Sequence, residues 1–166
     1  MTWPALPLVL GFVAVQRLSE LWFARRNTSR LLAEGAFEVG ASHYPLIVSL
    51  HVAWFLAMAV GIPVRTPPDT ALLVVFFLLQ LGRVWVIASL GRYWTTRIIT
   101  LPGAPLVRRG PFRFLRHPNY LIVVCEIAIL PLAFGAWEIA TIFSLLDLVL
   151  IVHRIRVEET VLRERT

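Results

Sequence analysis

The stretch TALLVVFFLLQLGRVWVIASL, residues 70–90, holds a single charged residue, Arg83. At 1.5 Å per residue, a helix of that length spans the roughly 30 Å hydrocarbon core of a bilayer. The run therefore reads as a membrane helix, and the rest of the chain agrees. Of its 166 residues, 58% are hydrophobic and 16% charged. Mean hydropathy is +0.74, a balance that suits a membrane protein, and the length allows one domain. Further apolar runs lie at 3–23, 44–62, 119–134 and 137–152, the last predicted to continue as helix to 157. The expected fold is all-α: an integral membrane bundle of about five transmembrane helices in a single domain over 1–166. Only Gly135-Ala136 separates the last two runs, which read as a C-terminal helical hairpin, short for the full hydrocarbon thickness.

Formal net charge is +6, and all 16 basic residues are arginine. The pI is about 11.0, yet the arginines flank apolar runs instead of forming a soluble basic face. That pattern is the positive-inside bias of a membrane protein and argues against nucleic acid as a partner. Arg25, Arg26 and Arg30 follow the first run. Arg92, Arg97, Arg108, Arg109, Arg113 and Arg116 fall in the segment 91–118. Arg154, Arg156, Arg163 and Arg165 lie near the end. With five spans these groups share one face, predicted cytoplasmic, which leaves Arg65 opposite and the N-terminus outside. The first run lacks a basic n-region and a small-residue cleavage pattern, so it reads as a retained helix and not a signal peptide. Cys125, the single cysteine, excludes an internal disulfide and reads as an inert buried thiol. No His/Glu spacing of a metal site occurs, so no metal is expected.

The segment 91–118 carries Pro102, Gly103, Pro105, Gly110, Pro111 and Pro118, a density that opposes regular helix and favours a shaped, functional loop. It leads into Arg116-His117-Pro118-Asn119-Tyr120. Pro118 suits a first helical turn. Arg116 and His117 then precede a helix N-terminus, whose free N–H groups favour an anionic ligand group. Without a ligand, the same residues are a proline-capped helix with interfacial Arg and Tyr anchors.

Beyond the hairpin, Arg154 and Glu158 are four apart, and Arg156 and Glu159 three apart, which is the spacing of an intrahelical salt-bridge ladder. Their position brings Glu158 and Glu159 to the same membrane side as His117. Within the spans, Arg17 and Glu20 are expected to pair. Arg83 and Glu126, at similar depth, form a candidate pair or substrate clamp. Asp147 faces the bundle or the site, and His51 reads as satisfied within the bundle. Tyr93 and Trp94 either line a pocket floor or belong to an interfacial aromatic belt.

The run from Gly110 to Tyr120, then an apolar hairpin, then Arg156-Val157-Glu158-Glu159, resembles the isoprenylcysteine carboxyl methyltransferase family of integral membrane enzymes. The likeness is strongest from Gly91 to Leu162, and the motif also recurs, with variations, in phospholipid N-methyltransferases and membrane sterol reductases. The resemblance implies S-adenosylmethionine as cofactor, held on the cytoplasmic side by Arg116, His117, Pro118, Asn119 and Tyr120, with Glu158 or Glu159 near its polar groups. It also implies an Arg and a Glu beside the transferred methyl, for which Arg154 or Arg156 and Glu126 are the candidates. Members with prenylcysteine activity continue past the Glu-Glu pair with a Gly-x-x-Tyr-x-x-Tyr-like segment, whereas this sequence stops at Thr166, so part of that pocket wall is expected to be missing or supplied otherwise. His43-Tyr44-Pro45 and Tyr93-Trp94-Thr95-Thr96-Arg97 look like the alkylpyrone and alkylresorcinol O-methyltransferases of a short bacterial branch.

The expected function is therefore O-methylation of a lipophilic acceptor entering from the bilayer, among the lipids of a bacterial inner membrane. The acceptor is either isoprenylcysteine carboxylate-like or a long-chain alkylpyrone or phenolic hydroxyl. The alternatives are a phospholipid N-methyltransferase, an NADPH-dependent reductase of the sterol reductase type, and a membrane scaffold without catalysis.

Overall fold

The computed structural model describes residues 4–163, with side chains as far as Thr160. Trp3 and Arg165 lie outside the described residues, as does the side chain of Arg163. The bundle comprises α1 (Ala5–Ala33), α2 (Tyr44–Gly61), α3 (Thr70–Leu90), α4 (Pro118–Ala133) and α5 (Trp137–Arg163). The first three are long and apolar enough to cross a membrane, and α4 is a shorter apolar helix. Val74, Phe77, Leu78, Leu81, Val84 and Trp85 of α3 are all exposed. So large an apolar surface belongs in lipid, and the protein is an integral membrane protein.

The core lies where the helices meet. Leu6, Val9, Leu10 and Val13 of α1 pack with Trp54 and Met58 of α2, Phe76 of α3 and Ile127 and Leu130 of α4. Trp54 donates its indole N–H to the Ile127 carbonyl at 3.1 Å, which leaves no donor stranded in that core. Helix α3 starts as its residues dictate: the Asp69 carboxylate accepts from the Leu72 amide at 3.0 Å as an N-cap. The Asp69 amide in turn donates to the Ala133 carbonyl at 2.7 Å, pinning the start of α3 to the end of α4.

Helix α5 runs to Arg163, six residues past the expected end at 157, and two further features depart from expectation. Helix α1 runs ten residues past Phe23, so Arg25, Arg26 and Arg30 stand on a helix and not in a loop. No proline or glycine interrupts that stretch. Ala24, Asn27 and Leu31 are buried along it, so packing continues the helix until Gly35. There Gly35, at φ +92°, allows a Schellman end in which the Ala36 amide reaches the Leu31 carbonyl and the Gly35 amide the Leu32 carbonyl. Second, the all-α bundle carries a small β staple. β1 (Phe37–Val39) pairs antiparallel with β2 (Ile98–Thr100), Phe37 opposite Thr100 and Val39 opposite Ile98.

The turn Gly110–Arg113 packs against α3. Arg109 donates its Nε–H to the Ser89 carbonyl at 2.8 Å. Gly110 has φ +59°, and a Cβ there would meet Ser89 Oγ at 2.1 Å. Gly110→Ala is expected to lower stability by about 1–3 kcal/mol through strain and overpacking. Gly103 also has positive φ, but its surroundings are open, so Gly103→Ala is expected to cost only about 1 kcal/mol. Thermal melts of the two variants in detergent check the order.

Candidate active site

Pro118 opens α4, and Tyr120 follows within its first turn. The Tyr120 hydroxyl donates to Glu158 Oε2 at 2.5 Å and accepts from Arg154 Nε at 2.8 Å. Arg154 also donates through Nη2 to the Thr96 carbonyl at 2.7 Å. His117 stacks on the Tyr120 ring, centroids 5.4 Å apart at 24°. The expected Arg154–Glu158 ladder is therefore replaced. A phenolic hydroxyl accepts from a guanidinium and donates to a carboxylate at once, so Tyr120 sits between the two. The Arg156–Glu159 pair is also not formed. Glu159 Oε1 instead lies 3.5 Å from Arg116 Nη1 and 3.6 Å from His117 Nε2, while Arg156 is exposed. His117 Nδ1 is 3.7 Å from Glu158 Oε2, so the hairpin brings both carboxylates to His117.

The loop above these residues is tied from several sides. Asn27 of α1 donates its Nδ2 hydrogens to the carbonyls of Gly91 at 3.0 Å and Trp94 at 2.9 Å. Arg97 pairs with Glu38 at 2.8 Å across the staple and lies over the Tyr44 ring at 4.8 Å. The hydrogen bond to Glu38 pushes the Arg97 pKa further up, so its charge is constant. The Tyr44 hydroxyl reaches Thr96 Oγ1 at 3.1 Å. These ties hold open a cavity of about 420 Å³, lined among others by Trp94, Phe112, His117, Asn119, Tyr120 and Glu158. Arg116 and Pro118 also face it. Three buried polar atoms on its lining residues, Trp94 Nε1, His117 Nε2 and Asn119 Oδ1, have no hydrogen-bond partner. Buried polar atoms left so are costly, a cost that a ligand with both donors and acceptors would relieve.

A second cavity of about 440 Å³ lies deeper, among the helices, with walls that include Val13, Ile47, Phe55, Val123 and Ile151. Trp94, Thr95, Asn119, Tyr120 and Arg154 line both cavities. The two chambers thus meet at the first turn of α4.

The sequence model of the Isoprenylcysteine carboxyl methyltransferase (ICMT) family matches residues 71–164. The chain belongs to this family. It is 35% identical over 161 residues to the uncharacterized protein YpbQ of Bacillus subtilis, covering 95% of this chain and 96% of the relative. It is 27% identical over 150 residues to an uncharacterized protein of Haemophilus influenzae, covering 87% of each. No solved structure gives a significant match. The family makes the protein a membrane methyltransferase.

In this ICMT-family protein, Gln16, Arg17, Glu20, Gln80, Arg83 and Glu126 form one largely buried network. Glu126 accepts from Arg17 Nη2, from Arg83 Nη1 at 2.9 Å and from Gln80 Nε2 at 2.9 Å. Glu20 accepts from Arg83 Nε at 2.7 Å, Arg17 Nη1 at 3.1 Å and Gln16 Nε2 at 3.0 Å. The Arg17–Glu20 and Arg83–Glu126 pairs read from spacing and depth are both present, joined into one. Two carboxylates and two guanidiniums cancel, which is how such charges persist inside a membrane protein. Glu126 lies outside the lining of both cavities; its contacts bolt α1, α3 and α4 together. The ties through Asn27, Thr96 and the β staple were not legible in the sequence. The run Tyr93-Trp94-Thr95-Thr96-Arg97 was their one visible trace.

Proposed function

We propose that this methyltransferase moves a methyl group from S-adenosylmethionine to an oxygen of a lipophilic acceptor that enters the deeper cavity from the bilayer. The observation that carries this reading is the meeting of a polar loop-side chamber and an apolar chamber within the bundle at Trp94, Thr95, Asn119, Tyr120 and Arg154. The arginine-rich loop face is cytoplasmic in this reading, which gives a soluble cofactor access while the acceptor stays in lipid.

The residues present fit the cofactor. Trp94 Nε1, His117 Nε2 and Asn119 Oδ1 offer buried, unpartnered donors and acceptors for its amino-acid and adenosine groups. Arg116 at the cavity edge suits its carboxylate. When bound, the cofactor supplies a methyl group on a positively charged sulfur. Glu158, on the lining of the loop-side chamber, adds negative charge to the space that would hold that cation. Arg154 spends Nε and Nη2 on Tyr120 and Thr96, leaving Nη1 to hold an acceptor oxygen. Transfer would make a C–O bond in exchange for the cofactor's C–S bond, with neutral S-adenosylhomocysteine as the by-product. A carboxylate acceptor needs no base. A phenolic or enolic hydroxyl must lose its proton, and Glu158, linked to the junction through the Tyr120 hydroxyl, is the base in reach.

The test is a methyl-acceptor screen with radiolabelled cofactor and purified protein in nanodiscs. Label is expected in long-chain alkylphenols, alkylpyrones or prenylcysteine carboxylates. Label confined to phosphatidylethanolamine would instead indicate a phospholipid N-methyltransferase, and binding of NADPH in place of S-adenosylmethionine a reductase. His117→Ala is expected to weaken cofactor binding about 10- to 100-fold, the loss of one or two buried hydrogen bonds. Titration calorimetry reads it, and unchanged affinity would count against the cofactor assignment.

A further inference from the structure

The deeper cavity has a second polar end that methyl transfer does not use. Tyr44 of α2 and Arg154 of α5 both reach Thr96 at the junction, at 3.1 and 2.7 Å. Seven residues further into the bundle on those two helices stand His51 and Asp147, and both line the cavity. Seven residues of α-helix rise about 10 Å, so the pair lies about that far below the junction, on opposing helices.

Asp147 is 1% exposed, and its Oδ2 has no hydrogen-bond partner. His51 Nδ1 is 2.8 Å from the Ile47 carbonyl. A carbonyl can only accept, so Nδ1 carries the proton of the neutral ring and Nε2 is left as an acceptor. The nearby charges are already committed: Arg17 and Arg83 each bind both Glu20 and Glu126. A carboxyl group held this deep without a partner is costly in a membrane protein and marks a functional position.

We infer that His51 and Asp147 form a second subsite of the acceptor cavity, one that binds a hydroxyl carried about 10 Å from the oxygen that is methylated. The inference rests on the proposed methyl transfer for what happens at the other end. A hydroxyl is the group that fits, because it donates and accepts at once. It can give its hydrogen to His51 Nε2 or to an ionised Asp147, and it can accept from Asp147 in the acid form. A plain alkyl chain leaves His51 Nε2 and Asp147 Oδ2 unpartnered. The acceptor is then a lipid with two polar points, and the spacing between them selects which molecules seat the reacting oxygen beside Arg154.

Equilibrium binding tests this without cofactor, using the full chain in nanodiscs and correcting for partition into lipid. The probes are 4-(4-hydroxybutyl)phenol, whose oxygens are about 10 Å apart when extended, matching the rise above, and 4-pentylphenol, equal in length without the second hydroxyl. The wild-type protein is expected to bind the hydroxylated phenol about tenfold tighter, one hydrogen bond's worth. Asp147→Leu and His51→Phe are each expected to bring that preference close to unity while 4-pentylphenol still binds. Equal affinities in the wild type overturn the subsite, as does a preference that survives either folded variant. The wild-type comparison needs no variant, so it decides even where a substitution prevents folding. If the preference appears but neither phenol accepts a labelled methyl, the subsite stands and the O-methylation of phenols falls.

Discussion

Arg154→Ala is expected to lower kcat for methyl transfer about 10²- to 10³-fold, the usual loss when a preorganised donor at a reacting oxygen is removed. Arg154 is 9% exposed, lines both cavities and braces Tyr120 and Thr96 together. Its removal takes away the positive charge at the junction and also the brace that fixes the Tyr120 hydroxyl. Arg154→Lys keeps the charge but cannot reach both partners with a planar fork, so an intermediate loss is expected, with kcat falling more than KM rises. Tyr120→Phe keeps the ring and loses the bridge to Glu158, and about a tenfold loss is expected from one hydrogen bond. Initial rates with radiolabelled cofactor, alongside a thermal melt to show that the fold persists, measure all three. An Arg154→Ala enzyme within threefold of wild type would sink the assignment.

Glu126→Leu is expected to be the most destabilising single change, by about 3–5 kcal/mol. It leaves Arg17 and Arg83, with side chains 24% and 7% exposed, sharing the one carboxylate of Glu20 inside the bundle. Stranded guanidiniums, more than lost attraction, make the loss large. Replacing Arg17, Glu20, Arg83 and Glu126 together by apolar residues of similar size is therefore expected to restore most of the stability. Melting temperature and yield after detergent extraction compare the two. Equal instability of the single and quadruple variants would show that the network contributes through attraction after all.

The sequence shows the helices well because lipid requires long apolar runs, and α2, α3 and α4 begin and end within a residue of expectation. Helix α1 outruns its apolar run because Asn27 and Leu31 are buried beyond it, Asn27 by bonds to the distant Gly91 and Trp94, which nothing local to α1 announces. The site was half legible. Spacing gave Arg17–Glu20, and depth gave Arg83–Glu126, since helical geometry is local and regular. Spacing alone also suggested an Arg154–Glu158 pair, and there a tyrosine from another helix took both partners. Nothing local to α5 announces such an insertion, nor can the β staple be read from two three-residue strands sixty residues apart.

The two cavities draw on different parts of the chain. Apart from Leu31, every lining residue of the loop-side chamber lies within the stretch that matches the family, residues 71–164. The deeper chamber takes most of its lining from α1 and α2, which precede that stretch. In the proposed reading the polypeptide is divided in order: the later part would house the transfer, and the earlier part would shape what receives it. On that reading, changes in α1 and α2 are expected to alter the choice of acceptor while leaving the reaction machinery intact, so that one chemistry is redirected among lipids by remodelling two helices.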